Sequence, residues 1–270
     1  MIDDNKINYA IVFDLDETLG HFSQLYIYWN LLKAYLNTEN LDDKYFFKIL
    51  DAFPEFLRPN IIKLLTNIKK KKQKKICNFV MIYTNNNGPT YWAQLIKSYL
   101  HYKLKYNLFD KIIGAFKVNG KIIEVCRTTH GKSFTDFISC TKLPENTQIC
   151  FLDDQYHKDM EHENVLYINV KPYTCNIKFE VLADKTYNIL KKLFIKNNKN
   201  STKENFIKHI NQYTTNYKLA NLNKSRVQKN IEIILTNHLI KEIDKFFKTK
   251  PKNTTLKKRK KKKRNQTKKN

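Results

Sequence analysis

Three short, unbroken apolar runs constrain this chain more than any other feature. They are NYAIVFD at 8–14, ICNFVMIYT at 76–84 and QICFLD at 148–153, and they end on Asp14, Thr84 and Asp153. A continuous apolar run too short for a helix suits a strand buried on both faces of a parallel sheet. Between the runs lie helical patterns. RPNIIKLLTNIKKK has a proline near its start, and PTYWAQLIKSYLHYKL places Trp92, Leu95, Ile96, Tyr99 and Leu100 on one face. This alternation predicts an α/β, Rossmann-like fold with helices on both faces of a parallel sheet. Ligands of such sheets gather outside the carboxyl ends of the strands. Three scattered positions thereby become one candidate site.

The polar residues at those ends suit a cation and a phosphate. Asp14 and Asp16 are two apart, with Thr18 two further on. Two carboxylates on the same side raise each other's pKa unless a cation neutralises them, and a divalent metal with hard oxygen ligands does that. Either aspartate alone would serve as a turn or helix-capping residue. YTNNNG at 83–88 sets the Thr84 hydroxyl and free backbone N–H groups before a helix, a cradle for an anion or an ordinary strand-to-helix turn. FLDDQ brings a second acidic pair, Asp153 and Asp154, to the same edge. Lys132, in TTHGKSFTDF, is on its own one of 50 basic residues.

Taken jointly, Asp14-x-Asp16-x-Thr18, Thr84, Lys132 and Asp153-Asp154 resemble the four ordered motifs of the haloacid dehalogenase superfamily of phosphohydrolases. DLDETLGH at 14–21, FLRPNIIKLL, the YTN segment, the Lys132 region and LDD are similar to the carboxy-terminal-domain phosphatases, also called NLI-interacting-factor-like phosphatases or the FCP homology domain family. The resemblance covers roughly residues 8–173. Two segments depart from the family: the insert at 22–53 is longer, and GKSF stands where KDL is usual.

The resemblance implies a Mg²⁺-dependent phosphatase acting on phosphoserine or phosphothreonine in a protein or peptide. Asp14 would be the nucleophile and Asp16 the proton carrier, with Thr84 and Lys132 on the phosphoryl oxygens. Asp14, Asp154 and the Asp16 backbone carbonyl would hold Mg²⁺, and Asp153 would orient Lys132 or support the metal. Two alternatives stay open: a phosphatase for nucleic-acid ends or a small metabolite, and a catalytically silent docking module of the same fold.

The remaining segments supply accessory elements. Residues 22–53 are aromatic-rich and read as a helical insert packed near the mouth of the site. KIIGAFKVNGKIIEV at 111–125 holds two apolar runs around Asn119-Gly120, a hairpin signal. The phosphatase domain is expected over 1–175, with a helical extension over 176–247 built from patterns at 178–195 and 203–247. A disordered basic tail is expected over 248–270.

The formal charge is +25; the tail holds 13 Lys or Arg and no acid, leaving +12 on the other 247 residues. KKRKKKKR at 257–264 reads as a nuclear localisation signal, a nucleic-acid tether, or a product of the Lys- and Asn-rich composition, which fits an AT-rich genome. KKKKQKK at 69–75 reads as a solvated loop at the amino end of the sheet, opposite the site. The five cysteines form no CxxC pair, which predicts reduced thiols in an intracellular, soluble protein. No stretch approaches a membrane span.

Overall fold

A computed structural model describes residues 7–197, 202–215, 217 and 224–249. Its strands are β1 (Tyr9–Phe13), β2 (Phe79–Tyr83), β3 (Lys111–Ile113), β4 (Lys117–Val118), β5 (Lys121–Ile122), β6 (Gln148–Asp153) and β7 (Val165–Asn169). Helices α1 (Ser23–Tyr35), α2 (Asp43–Ala52), α3 (Ile61–Gln73), α4 (Thr90–Leu104) and α5 (Phe134–Thr141) precede β6. After β7 come α6 (Phe179–Ile189), α7 (Lys191–Asn197), α8 (Lys203–Thr214) and α9 (Arg226–Phe246). The main sheet has the order β3-β2-β1-β6-β7, and every pairing in it is parallel. This is the Rossmann-like α/β architecture that the apolar runs predict.

The three runs occupy the middle of the sheet because both of their faces are covered. Ile11 and Phe13 of β1 enter a large core with Val80, Ile82, Cys150 and Leu152. Ala10 and Val12 enter a smaller one with Met81, Tyr83, Ile149, Phe151 and Phe137 of α5. The large core also takes Leu64 of α3, Leu95 of α4, Leu182 of α6, Phe194 of α7, Phe206 of α8 and Ile243 of α9. The extension is thus packed on the sheet's larger face.

Several elements differ from the sequence reading. The first half of the expected hairpin, KII, pairs with β2 as the edge strand β3. The hairpin is confined to β4 and β5, with Asn119 and Gly120 in the left-handed region at φ 49° and 78°. The other edge, β7, is a strand the sequence reading misses; its half-exposed residues break the continuous apolar signature of the central strands. The helical pattern over 203–247 divides into α8 and α9. Ser225 starts α9 with a reciprocal capping box to Gln228, which fixes a new helix start inside the pattern.

The aromatic insert is helical as read. Its rings join the core beside the loop after β2, Tyr26 and Phe46 on Trp92 and Tyr35 on Phe206. The 69–75 run lies at the end of α3 and just beyond, at the amino edge of the sheet. Lys69 donates to the Leu104 carbonyl at 2.8 Å, and Lys72 pairs with Asp110 at 2.6 Å.

The cysteine expectation needs correction. Cys126 and Cys140 form a disulfide, while Cys77, Cys150 and Cys175 are free and buried. Spacing does not announce this pair, because the two sulfurs meet only when the segment after the hairpin lies over α5. Among the described residues, no helix is long and apolar enough to cross a membrane. The basic run at 257–264 lies outside the described residues.

Candidate active site

Asp14 follows β1 directly, and its N–H donates to the Leu152 carbonyl at 2.8 Å. The chain then turns sharply. Glu17 is left-handed at φ 59°, and its N–H donates to the Gly20 carbonyl at 2.6 Å. Gly20 is required there, since a Cβ would stand 2.4 Å from the Phe56 carbonyl oxygen. The turn aims Thr18 back at the sheet edge: its Oγ1 donates to Asp154 Oδ1 at 3.0 Å and accepts from the Asp154 N–H at 3.1 Å.

All six residues proposed from sequence converge. Asp14, Asp16, Thr84, Lys132, Asp153 and Asp154 line one cleft of about 170 Å³, together with Glu17, Asn85, Asn86, Gln155 and His157. None of residues 22–53 contributes to it. Lys132 is only 2% exposed and donates to Asp14 Oδ1 and, at 2.6 Å, to Asp153 Oδ2. It directly precedes α5, where Ser133 caps the helix by accepting from the Asp136 N–H. A local helix start therefore sets the lysine's position.

Asp16 faces the other way. Its Oδ2 accepts from Asn86 Nδ2, and the Phe22 backbone N–H favours its charged form. Burial raises its pKa to about 6, with the Asp14 charge adding and the Asn86 bond opposing. Burial likewise holds Asp153 at about 6 against the pull of Lys132. Asp154 is also raised, by burial and by Asp14. Burial and Lys132 depress His157 to about 4, so the imidazole 3.6 Å from Asp153 is neutral.

The cleft thus gathers four aspartates around one lysine. Asp14, Asp153 and Asp154 each offer a carboxylate oxygen, and these atoms lie within 4.8 Å of one another. A set of hard oxygen donors with excess negative charge fits a divalent cation such as Mg²⁺. The Asp16 carboxylate is not among them; Asn86 holds its Oδ2 instead.

Comparison of the chain with protein families, curated proteins and solved structures found no match.

Two arginines that the sequence reading does not single out hold this geometry. Arg127, 2% exposed, donates through Nη1 to Asn85 Oδ1 and the Gly114 carbonyl, and through Nη2 to the carbonyls of His130 and Gly131. It ties the loop after β2 to the segment carrying Lys132. Arg58, also 2% exposed, donates to the carbonyls of Thr18, Glu17 and Lys171 at 2.5–2.8 Å. The proline-led FLRP segment was the available signal for Arg58; no spacing marks Arg127.

Proposed function

We propose that this chain is a Mg²⁺-dependent phosphomonoesterase that works through an aspartyl-phosphate on Asp14, with phosphoserine or phosphothreonine in a protein as substrate. The observation that carries the reading is the set of four aspartates around the buried Lys132 at the carboxyl edge of a parallel sheet. The likeness of the motifs to the carboxy-terminal-domain phosphatases supports the same chemistry.

Asp14 attacks phosphorus in line. The ester P–O bond breaks, and the leaving oxygen takes a proton from Asp16. A water then attacks the same phosphorus while Asp16 accepts its proton, which releases inorganic phosphate and restores the Asp14 carboxylate. The raised pKa of Asp16 suits both transfers near neutral pH. Lys132 and Thr84 hold the phosphoryl oxygens where negative charge accumulates. Asp14, Asp153 and Asp154 would hold Mg²⁺, which supplies neutralisation of the carboxylates and the incoming phosphate.

Asp14→Asn is expected to abolish phosphate release from an aryl phosphate while the circular dichroism spectrum stays that of the wild type. Full activity in that variant would reject Asp14 as nucleophile. The charge of +25 favours a second reading, in which the phosphate sits on a nucleic-acid end. Turnover of a phosphoserine peptide against a 3′-phosphorylated oligonucleotide separates the two, and the protein reading fails if only the oligonucleotide is processed.

A further inference from the structure

The turn bearing Asp16 and Thr18 is held from behind by Arg58, and Arg58 is faced in turn by a carboxylate on α9. Arg58 Nε donates to the Thr18 carbonyl at 2.6 Å, and Nη2 donates to the Glu17 carbonyl at 2.5 Å. The remaining nitrogen, Nη1, faces Glu232 Oε2 at 3.8 Å. Glu232 is 5% exposed, and Lys224 pairs with its other oxygen at 3.4 Å. Tyr173 completes the arrangement. Its ring lies 5.7 Å from the guanidinium, and its N–H donates to the same Glu17 carbonyl at 2.9 Å.

We infer that Glu232 is a positioning residue for the proposed phosphatase site, acting through Arg58 on the Glu17–Thr18 backbone. The α9 helix thereby becomes a working part of the site, although no atom of it lines the cleft. The inference rests on the proposed activity for its kinetic consequence, but the clamp itself is a matter of geometry.

Three carbonyls bind the guanidinium, yet a carbonyl supplies no net charge; Glu232 is the leading compensating anion, ahead of Asp154, and Lys224 pairs with Glu232 in turn. Removing one partner of a buried pair leaves the other uncompensated, which is costly. Arg58 has somewhere to go if that happens: a cavity of about 920 Å³ opens beside it, lined also by Tyr173, Lys224 and Glu232. A guanidinium drawn toward that cavity releases the two carbonyls. Thr18 then loses its fixed approach to Asp154, and Asp16 its fixed approach to the cleft.

The test compares Glu232→Ala with Asp244→Ala. Asp244 also fastens α9 to α3, through Lys71 at 2.8 Å and Asn67 at 3.1 Å, without touching Arg58. On an aryl phosphate with saturating Mg²⁺, Glu232→Ala is expected to lower kcat about tenfold with KM changed less than twofold, the signature of lost transition-state positioning. Asp244→Ala should keep kcat within twofold and lose less Tm, because its ion pair is partly exposed. Amide hydrogen exchange gives a readout independent of activity. The N–H groups of Glu17 and Leu19, bonded to Gly20 and Leu15, should exchange faster in Glu232→Ala only.

If Glu232→Ala does not fold, Arg58→Lys replaces it. A single ammonium cannot reach the Thr18, Glu17 and Lys171 carbonyls in that fork geometry, and the same kcat loss and faster exchange are expected. An active wild type whose Glu232→Ala kcat is unchanged, or whose Asp244→Ala falls equally, overturns the inference. A wild type inert on every phosphomonoester rejects the proposed function instead; the clamp is then judged by exchange alone, and unchanged protection in Glu232→Ala rejects it.

Discussion

Lys132 is shared between Asp14 and Asp153, both nearly buried. Replacing it with Met leaves those carboxylates without their cation, and loss of one partner from a buried ion pair costs about 3 kcal/mol or more. Urea unfolding in EDTA should register that loss. Added Mg²⁺ should recover part of it, because a second cation can take over the charge. A separate test lies far from the cleft. Burial and nearby lysines hold His101 at about 4, and its Nε2 accepts from the Phe109 N–H at 3.0 Å. The folded state therefore keeps this imidazole neutral while the unfolded chain binds a proton below about 6.5. The stabilisation is complete above about 6.5 and is lost as pH falls toward the folded value of about 4. His101→Gln should accordingly show a shallower fall of Tm with acidification than the wild type. At this scale Asp14, Thr84, Asp153 and their neighbours Asp16 and Asp154 were legible because parallel strands deliver their carboxyl ends to one edge, whereas Lys132 stood out only through the likeness of the motifs. Arg127 was not: a buried arginine that binds carbonyls has no local pattern to separate it from the other basic residues, and Arg58 had only the proline that follows it as a mark.

Among the elements, the disulfide has the clearest consequence. Cys126 and Cys140 lie 14 positions apart, and the loop they close carries both Arg127 and Lys132. Closing a loop of about 15 residues is worth about 3 kcal/mol in the chain-entropy account. Reduction, or Cys126→Ser with Cys140→Ser, should lower unfolding stability by up to that amount. It should also speed proteolytic cleavage between residues 126 and 140, which a protease footprint with and without reductant would measure. The central strands and helices α1 to α4 were readable from periodicity, whereas α5 and the edge strand β7 were not, and β3 was read as half of the hairpin rather than as an edge of the sheet. β3 and β7 are short or half-exposed, so burial on two faces leaves no trace in their sequence. The break before α9 had a visible mark in Ser225 and Gln228, which the apolar rhythm running across it outweighed.

On the scale of the whole molecule, the extension is not an appendage. Phe206, Ile210, Leu239, Ile243 and Phe246 belong to the same core as Ile11 and Phe13 of the central strand. A chain truncated after Asn197 should therefore expose that apolar surface and appear in the insoluble fraction, or bind a hydrophobic dye if soluble. The motifs end within the domain read over 1–175, and the packing of the extension on it was not legible because periodicity marks the apolar face of a helix but not the surface that face meets.

The topology also has a kinetic side. Ala10 of β1 pairs with Phe79 on one side and Ile149 on the other, and the Tyr9 ring rests against Phe246 and Phe247. During synthesis the first strand must wait for partners encoded far downstream, with both of its hydrogen-bonding edges open. Parallel pairing at such separation is slow and exposes the chain to aggregation meanwhile. The nascent polypeptide would thus be a natural client for chaperones until α9 arrives.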